Sequence, residues 1–598
     1  MTTTELDFDP DALRAKYREE RDKRIRPDGN DQYVEVVGPF ARFVEDPYTE
    51  WVDREPLTDL VEVVVLGGGF GGLLAGARLR DAGLAPTDIR IIEKGGDFGG
   101  TWYWNRYPGA QCDVESYIYL PLLEELGYIP TEKYAHAPEI LEHSRAIGRH
   151  FGLYDNALFQ TEVRELRWDD ADARWVVSTN RGDRMRARFV VSASGPLHRP
   201  KLPGVPGITS FRGHTFHTSR WDYDYTGGDS TGNLDRLADK VVGIIGTGAT
   251  AVQCVPHLGA AAKHLYVFQR TPSSVDVRGN RPTDPEWVAS LEPGWQRRRM
   301  ENFNNLVSGI PEAEDLVDDG WTDIIGKLLV AMRRKDADVS AGGIARTMEL
   351  ADFEKMNQVR ARVDAIVEDP ATAEALKPWY RQFCKRPCFH DEYLQTFNRP
   401  NVTLVDTEGR GVDRITERGV VVGDVSYDLD CLIFATGFEV GTDYSRRAGC
   451  TIVGRDGVTL ADKWSDGVRT LHGMHSHGFP NLFFMNTAQG GFTANFPHAL
   501  EEMSTHLAHL VDRARARGVR VVEATEEAED AWVQTIVQLA RMGQSFLESC
   551  TPGYYNNEGK PGERAAQNGF YGAGPVAYFQ LLRAWRDDGT LAGLSLRP

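Results

Sequence analysis

No stretch of this 598-residue chain approaches the roughly 20 consecutive apolar residues that a membrane-spanning helix needs. Basic charge is also in short supply: 68 Lys and Arg stand against 87 Asp and Glu, a formal net charge of −19. Nucleic-acid binding of the general kind, which requires a basic surface, is thereby excluded. An anionic small molecule has to be held by a local basic pocket instead of by the overall field. Cysteine is scarce: there are seven, an odd number, with no C-x-x-C pair. Cys384 and Cys388, four apart, would share a face on a helix, but buried or incidental thiols are expected, with no metal site and no disulfide framework. Met1 to Asn30 is charged throughout and has no signal-peptide apolar core, which points to the cytoplasm. Repeats and low-complexity tracts are missing as well. The remaining composition, 41% hydrophobic and 26% charged with a mean hydropathy of −0.40, is ordinary for a globular protein. The length exceeds what one core can serve, so two or three domains are expected.

The organisation comes from two strand–loop–helix units. Leu60 to Leu66 is a continuous apolar, β-branched run, as expected of a parallel strand buried on both faces. Gly67-Gly-Gly-Phe-Gly-Gly72 follows, then a helix to Ala82 and a strand Ile89 to Ile92 ending at Glu93. In this context the glycines have separate tasks: Gly67 for the tight turn, Gly69 for approach of a pyrophosphate, and Gly72 for helix–strand packing. The helix N-terminus then offers free amides and a favourable dipole to the diphosphate. A carboxylate at Glu93 suits an unmodified ribose and repels a 2′-phosphate, which favours FAD or NAD here. The order repeats at Val241–Ile245, Gly246-Thr-Gly-Ala-Thr-Ala251, a helix expected from Val252, and strand Leu265–Phe268. This second unit ends at Arg270, whose guanidinium can pair with phosphate, so it reads as an NADP(H) site, with Thr271 adding a hydroxyl.

The chain divides on this basis into an extension (1–55), a first dinucleotide domain (56–195) and a second (196–390). Residues 283–380 form a helical insertion, in which Met356, Val359, Val363 and Ile366 keep helical spacing. From 391 to 598 the chain is expected to return to the first domain, through Leu429–Phe434 and Ala435-Thr-Gly-Phe438, and to add a C-terminal lobe.

Two segments narrow the chemistry. Between the glycine loops lies Phe211-Arg-Gly-His-Thr-Phe-His217-Thr-Ser-Arg-Trp221-Asp222, of pattern F-x-G-x-x-x-H-x-x-x-W-D. After Glu93 comes Gly99-Gly-Thr-Trp102-Tyr-Trp-Asn-Arg-Tyr107-Pro-Gly-Ala-Gln-Cys-Asp113. Both resemble sequence signatures of the type I Baeyer–Villiger monooxygenases, and the similarity covers nearly the whole chain. The resemblance implies an α/β fold of two Rossmann-like domains, one for FAD and one for NADPH, with the helical insertion. It also implies an enzyme that uses O2 to turn a ketone into an ester or lactone.

Within that resemblance, Thr101, Trp102, Asp113, Tyr119 and Val163 are FAD-side residues. The loop Thr247, Gly248, Ala249, Thr250, Ala251, Val252 and Gln253 covers the nicotinamide nucleotide's phosphates. Lys385 resembles a lysine that helps bind the 2′-phosphate, and Arg386 resembles the catalytic arginine. A permanently protonated guanidinium is what an anionic oxygen nucleophile needs beside it, in a site kept free of water. Asp113 would hold Arg386 through a charge-assisted pair. His217 and Trp221 are expected to serve interdomain movement and not the chemistry itself.

The branch with an N-terminal extension is the nearest match, through Arg24–Tyr33, Trp221–Asp229 and Thr551–Lys560. Where many members have a tryptophan-led loop, Thr551–Lys560 has none, which implies a roomier pocket and a bulky cyclic ketone, sesquiterpenoid or macrocyclic, in antibiotic biosynthesis. A monomer or homodimer is expected. The rivals are a flavin-containing N- or S-oxygenase, which should lack the full Trp102-to-Asp113 pattern, a disulfide reductase, which needs a second cysteine near Cys112, and a non-catalytic nucleotide sensor.

Overall fold

In the computed structural model, strand Leu60–Leu66 sends its side chains to two cores. Val63 and Val65 join the cluster with Leu73 and Leu74 of helix Phe70–Asp81, while Val64 and Leu66 join Trp168, Trp175 and Val177 on the other face. That double burial is why the strand has no polar face. The structure describes residues 7–323, 341–442, 444–540 and 543–598.

Two sheets position the site. In the first, Leu60–Leu66 lies between Ile89–Ile92 and Arg184–Ser192, all parallel. Arg184–Ser192, Arg174–Thr179 and Val163–Asp169 form an antiparallel meander on its edge. Thr451–Val453 and Leu482–Phe484 join this sheet by parallel pairing with Val163–Asp169 and Arg184–Ser192. The second sheet is parallel throughout, in the order Val402–Asp406, His264–Gln269, Val241–Ile245, Cys431–Phe434 and His214–His217.

That order corrects one expectation. Cys431–Phe434 does not carry the chain back to the first sheet; it pairs with Val241–Ile245 in the second, as Val402–Asp406 pairs with His264–Gln269. The return comes only at Thr451–Val453. A four-residue run buried on both faces suits any parallel sheet, and its sequence carries no mark of which one it joins. Gly419–Val422 lies in a small antiparallel sheet with Arg414–Ile415 and Val425–Asp428.

The insertion contains helices Pro285–Ala289, Trp295–Val307, Ala341–Ile366 and Pro370–Leu376. On the long helix Met356, Val359 and Val363 are buried, so the spacing marked its inner face. The N-terminal helix Pro10–Asp22, capped by Asp9, packs against it: Tyr17 meets Phe353 edge-on at 5.4 Å, and Arg360 donates to the Tyr17 hydroxyl at 3.0 Å.

The cysteine expectation is also corrected. Cys384 and Cys550 form a disulfide across a sequence separation of 166. Cys384 ends the short helical turn Gln382–Cys384, whereas Cys388 is a buried free thiol in strand Cys388–Phe389, so the two share no helical face. Neither residue's local spacing announces a partner that far along the chain.

Candidate functional site

Both glycine loops, the Trp102-to-Asp113 segment and the Lys385–Arg386 pair line one cavity of about 3140 Å³. At the first loop, Gly67 has a φ of +105°, and a Cβ on Gly72 would lie 1.9 Å from the Gly67 carbonyl oxygen. Gly72 therefore lies behind the loop and lets the helix seat on the strand; it is not among the cavity-lining residues. Glu93 is buried and accepts from the Gly68 amide (2.7 Å) and the Gly95 amide (2.7 Å), so it braces the loop as well as facing the cavity. Burial raises its carboxyl above the ordinary value, and the two amides oppose that shift.

Thr101 and Trp102 sit on the short helix Thr101–Trp104 behind Gly100. Trp102 donates its indole N–H to the Tyr119 hydroxyl at 3.1 Å, and the rings meet edge-on. Val163 and Tyr119 also face the cavity. The Asn486 Nδ2 donor, beside strand Leu482–Phe484, is buried there with no partner among the described residues. This aromatic and amide lining fits a flavin dinucleotide.

At the second loop, Gly248 precedes helix Ala249–Ala261, which opens earlier than Val252. A Cβ on Gly248 would meet nothing within 4 Å, which leaves room for close approach of a pyrophosphate. Thr247, Ala249, Thr250 and Gln253 line the cavity, but Ala251 and Val252 do not: they are packed in the core. An i to i+4 helix turn points only part of a continuous loop sequence at the ligand. Gln253 instead joins the two halves, accepting from the Tyr107 hydroxyl (2.8 Å) and donating to the Gln111 carbonyl (2.9 Å) and Asp113 Oδ1 (3.3 Å).

Arg270 ends the next strand, as expected, with the Thr271 hydroxyl beside it, buried and without a partner among the described residues. The N-terminal extension holds Arg270: Nη1 donates to Gln32 Oε1 at 2.7 Å and to the Tyr33 hydroxyl at 3.3 Å, and Arg24 Nε donates to its carbonyl at 3.2 Å. Its Nη2 meets the buried Glu558 at 3.0 Å. Lys385 lies close enough that its ammonium is brought down to about 8, by burial first and then by repulsion from Arg270, with Glu558 opposing. A cluster of cations with an unpaired hydroxyl fits a phosphate-bearing dinucleotide.

Asp113 and Arg386 are brought together: Arg386 Nη2 lies 3.0 Å from Asp113 Oδ2. Asp113 is 4% exposed, whereas 39% of the Arg386 side chain remains open. Burial works against the Arg386 charge, but Asp113 and the neighbouring tyrosines Tyr554 and Tyr555 outweigh it and raise the guanidinium further. Sequence reasoning missed the second cation on this carboxylate. Arg278, itself buried, donates through Nη2 to Asp113 Oδ1, through Nη1 to Gln111 and to the Cys112 carbonyl (3.2 Å), and through Nε to the Phe389 carbonyl (2.9 Å). Parallel pairing of Val275–Asp276 with Cys388–Phe389 sets Arg278 and Arg386 on the same acid. Trp321 closes the back, donating to the Asp113 carbonyl at 2.8 Å.

The linker residues are structural. Ser219 N–H donates to His217 Nδ1 (3.2 Å), which leaves Nε2–H to donate to the Gly437 carbonyl (3.1 Å). Burial pushes His217 down to about 3, so it stays neutral. Trp221 is buried and donates to the Thr226 hydroxyl at 3.1 Å. The motif thus ties the Ala435–Phe438 loop to the edge strand of the second sheet.

Residues 65–126 match a family model described as an NAD(P)-binding Rossmann-like domain. Over 594 residues the chain is 57% identical to pentalenolactone D synthase of Streptomyces arenae, covering 99% of this chain and 100% of that protein. It is 53% identical over 584 residues to a Baeyer-Villiger monooxygenase of Streptomyces coelicolor, covering 96% and 95%. Among solved structures, a polycyclic ketone monooxygenase from the fungus Thermothelomyces thermophila superposes with a TM-score of 0.91 at 44% identity, over 98% of both chains. The structure of OTEMO in complex with FAD and NADP matches with a TM-score of 0.74 at 28% identity, over 91% of this chain and 100% of that one.

Proposed function

This chain belongs to the Baeyer–Villiger monooxygenases, and from that premise we propose that it oxygenates a bulky polycyclic ketone at the Asp113–Arg386 centre. It is an NADPH-dependent flavin monooxygenase that takes FAD and O2. Bound FAD, reduced by NADPH, supplies the activated oxygen atom that enters beside the ketone carbonyl. Gly67, Gly69, Glu93, Thr101, Trp102, Tyr119 and Val163 hold the FAD. Thr247 to Thr250, Arg270, Thr271 and Lys385 hold the NADPH.

Arg386 does the electrostatic work. Its charge cannot be lost at any working pH, and it stabilises negative charge on the attacking oxygen and then on the former carbonyl oxygen. Asp113 aims it. Trp321 and Phe389, 5.5 Å apart, keep water away from the acid. The observation that carries this reading is the pairing of a buried Asp113 with an Arg386 that stays open to a cavity shared by both glycine loops.

Wall chemistry supports a large apolar substrate: Phe492 and Phe570 stack at 4.3 Å and both line the cavity. The names of the relatives, a pentalenolactone D synthase and a polycyclic ketone monooxygenase, agree with this, and we take the substrate to be a fused-ring ketone, a sesquiterpenoid of antibiotic biosynthesis. No helix of the described residues is long and apolar enough to cross a membrane; we place the enzyme in the cytoplasm. Loss of one well-placed anion stabiliser costs about 3–4 kcal/mol of barrier, roughly a hundred- to a thousand-fold in rate. Arg386→Ala should therefore retain flavin reduction by NADPH and lose ester formation from a fused-ring ketone, followed by product mass. Undiminished ester yield from that variant would end the assignment.

A further inference from the structure

Glu558 is buried among cations in a cavity where a second anion is expected. Its Oε2 lies 3.0 Å from Arg270 Nη2 and its Oε1 lies 3.6 Å from Lys201 Nζ. Glu558 and Lys201 side chains are only 4% and 7% exposed, so solvent screens their pair weakly. Such a carboxylate on a phosphate-binding arginine is costly for phosphate affinity, because two anions then share one set of cations. The carboxylate is also held in an uncommon backbone conformation: Asn557 and Glu558 have φ values of 51° and 56°, left-handed at two consecutive non-glycine residues.

Other contacts keep it there. Asn556 Oδ1 accepts from the Gly553 amide (3.0 Å) and the Gly559 amide (3.1 Å), and its Nδ2 donates to the Cys550 carbonyl (3.1 Å). One end of this loop is fixed by the Cys384–Cys550 disulfide to the residue preceding Lys385. At the same end, Lys385 Nζ donates to the Pro552 carbonyl at 3.3 Å. Between the fixed end and Glu558 stand Tyr554 and Tyr555, whose rings are 4.4 Å apart and which line the same cavity as Arg386.

We propose that Glu558 is an internal counter-ion of the NADPH phosphate subsite, which the 2′-phosphate displaces from Arg270 and Lys201. Displacement releases the Asn556–Lys560 turn from Arg270 and Lys201 while the disulfide and the Asn556 contacts hold its base. This rests on the assignment of Arg270 to the phosphate, and the two can fail separately.

The test uses the FAD-loaded enzyme, calorimetric titration and two probes, 2′,5′-ADP and 5′-ADP. Arg270→Ala should abolish the preference for 2′,5′-ADP; if the preference survives, the phosphate assignment itself is wrong. Glu558→Gln should bind 2′,5′-ADP about ten-fold more tightly, equivalent to about 1.4 kcal/mol, with 5′-ADP unchanged. Unchanged or weaker binding of 2′,5′-ADP by Glu558→Gln, with the Arg270 result intact, overturns the counter-ion role. A measurement on the unmutated protein guards against a misfolded variant: amide exchange within 556–560 should quicken on adding 2′,5′-ADP and not 5′-ADP. Exchange that stays constant or slows also overturns the proposal.

Discussion

Replacing Arg278 by methionine keeps an unbranched stem and removes every hydrogen bond that the guanidinium makes. Asp113 would lose the charged donor on Oδ1 and keep Gln253 on Oδ1 at 3.3 Å and Arg386 on Oδ2 at 3.0 Å. A hydrogen bond to a charged group is worth about 1.5–3 kcal/mol, and removing one partner from a buried ion pair costs about 3–5 kcal/mol. Since two donors remain, the lower range applies, about 1.5–3 kcal/mol. Part of that appears as misplacement of Arg386, because the carboxylate can now turn wholly toward it. We expect ester formation to fall roughly ten- to a hundred-fold, with NADPH consumed but not coupled to product. Flavin reduction by NADPH should stay near the parent rate, since Arg278 touches neither glycine loop.

The assay is a double-mutant cycle with Asp113→Asn, reading product formation and NADPH oxidation in parallel. If Arg278 acts through Asp113, adding Arg278→Met to Asp113→Asn should cost almost nothing further. Full additivity of the two losses, or an Arg278→Met enzyme with normal coupling, would refute the reasoning.

The remaining predictions concern Lys385 and the disulfide. With its ammonium down to about 8, Lys385 is a cation below that pH and neutral above it, so phosphate affinity should fall as pH rises through 8. The Michaelis constant for NADPH should climb above pH 8, and Lys385→Met should flatten that rise; an unchanged pH profile in the variant removes Lys385 from the subsite. Titration of the denatured, unreduced protein should find five free thiols, Cys112, Cys254, Cys388, Cys431 and Cys450; seven would show that Cys384 and Cys550 are unpaired in solution.

Features whose causes lie within a few residues were legible before the fold. Gly72 has to be glycine because its neighbour in space is Gly67, five positions earlier in the same loop. Glu93 and Arg270 follow directly on Ile89–Ile92 and His264–Gln269, the strands that come after the two glycine-loop helices, which is where the strand–loop–helix–strand order along the chain put them. Reading a loop as a continuous binding segment was less sound. Helix geometry turned Ala251 and Val252 into the core while Thr250 and Gln253 faced the cavity.

Burial on both faces likewise identified Cys431–Phe434 as a parallel strand but could not say which sheet would take it. By itself, then, the sequence determined that two glycine-rich strand–loop–helix units exist, and it carried the family signature between them. Only the tertiary structure decided that two arginines share Asp113, that Cys384 reaches Cys550, and that Glu558 sits on Arg270. Each of those is a contact between residues more than 160 positions apart, or a choice among several equally charged partners. Local propensity and spacing are blind to such contacts, because they are set by how the two sheets and the C-terminal loop pack around one cavity.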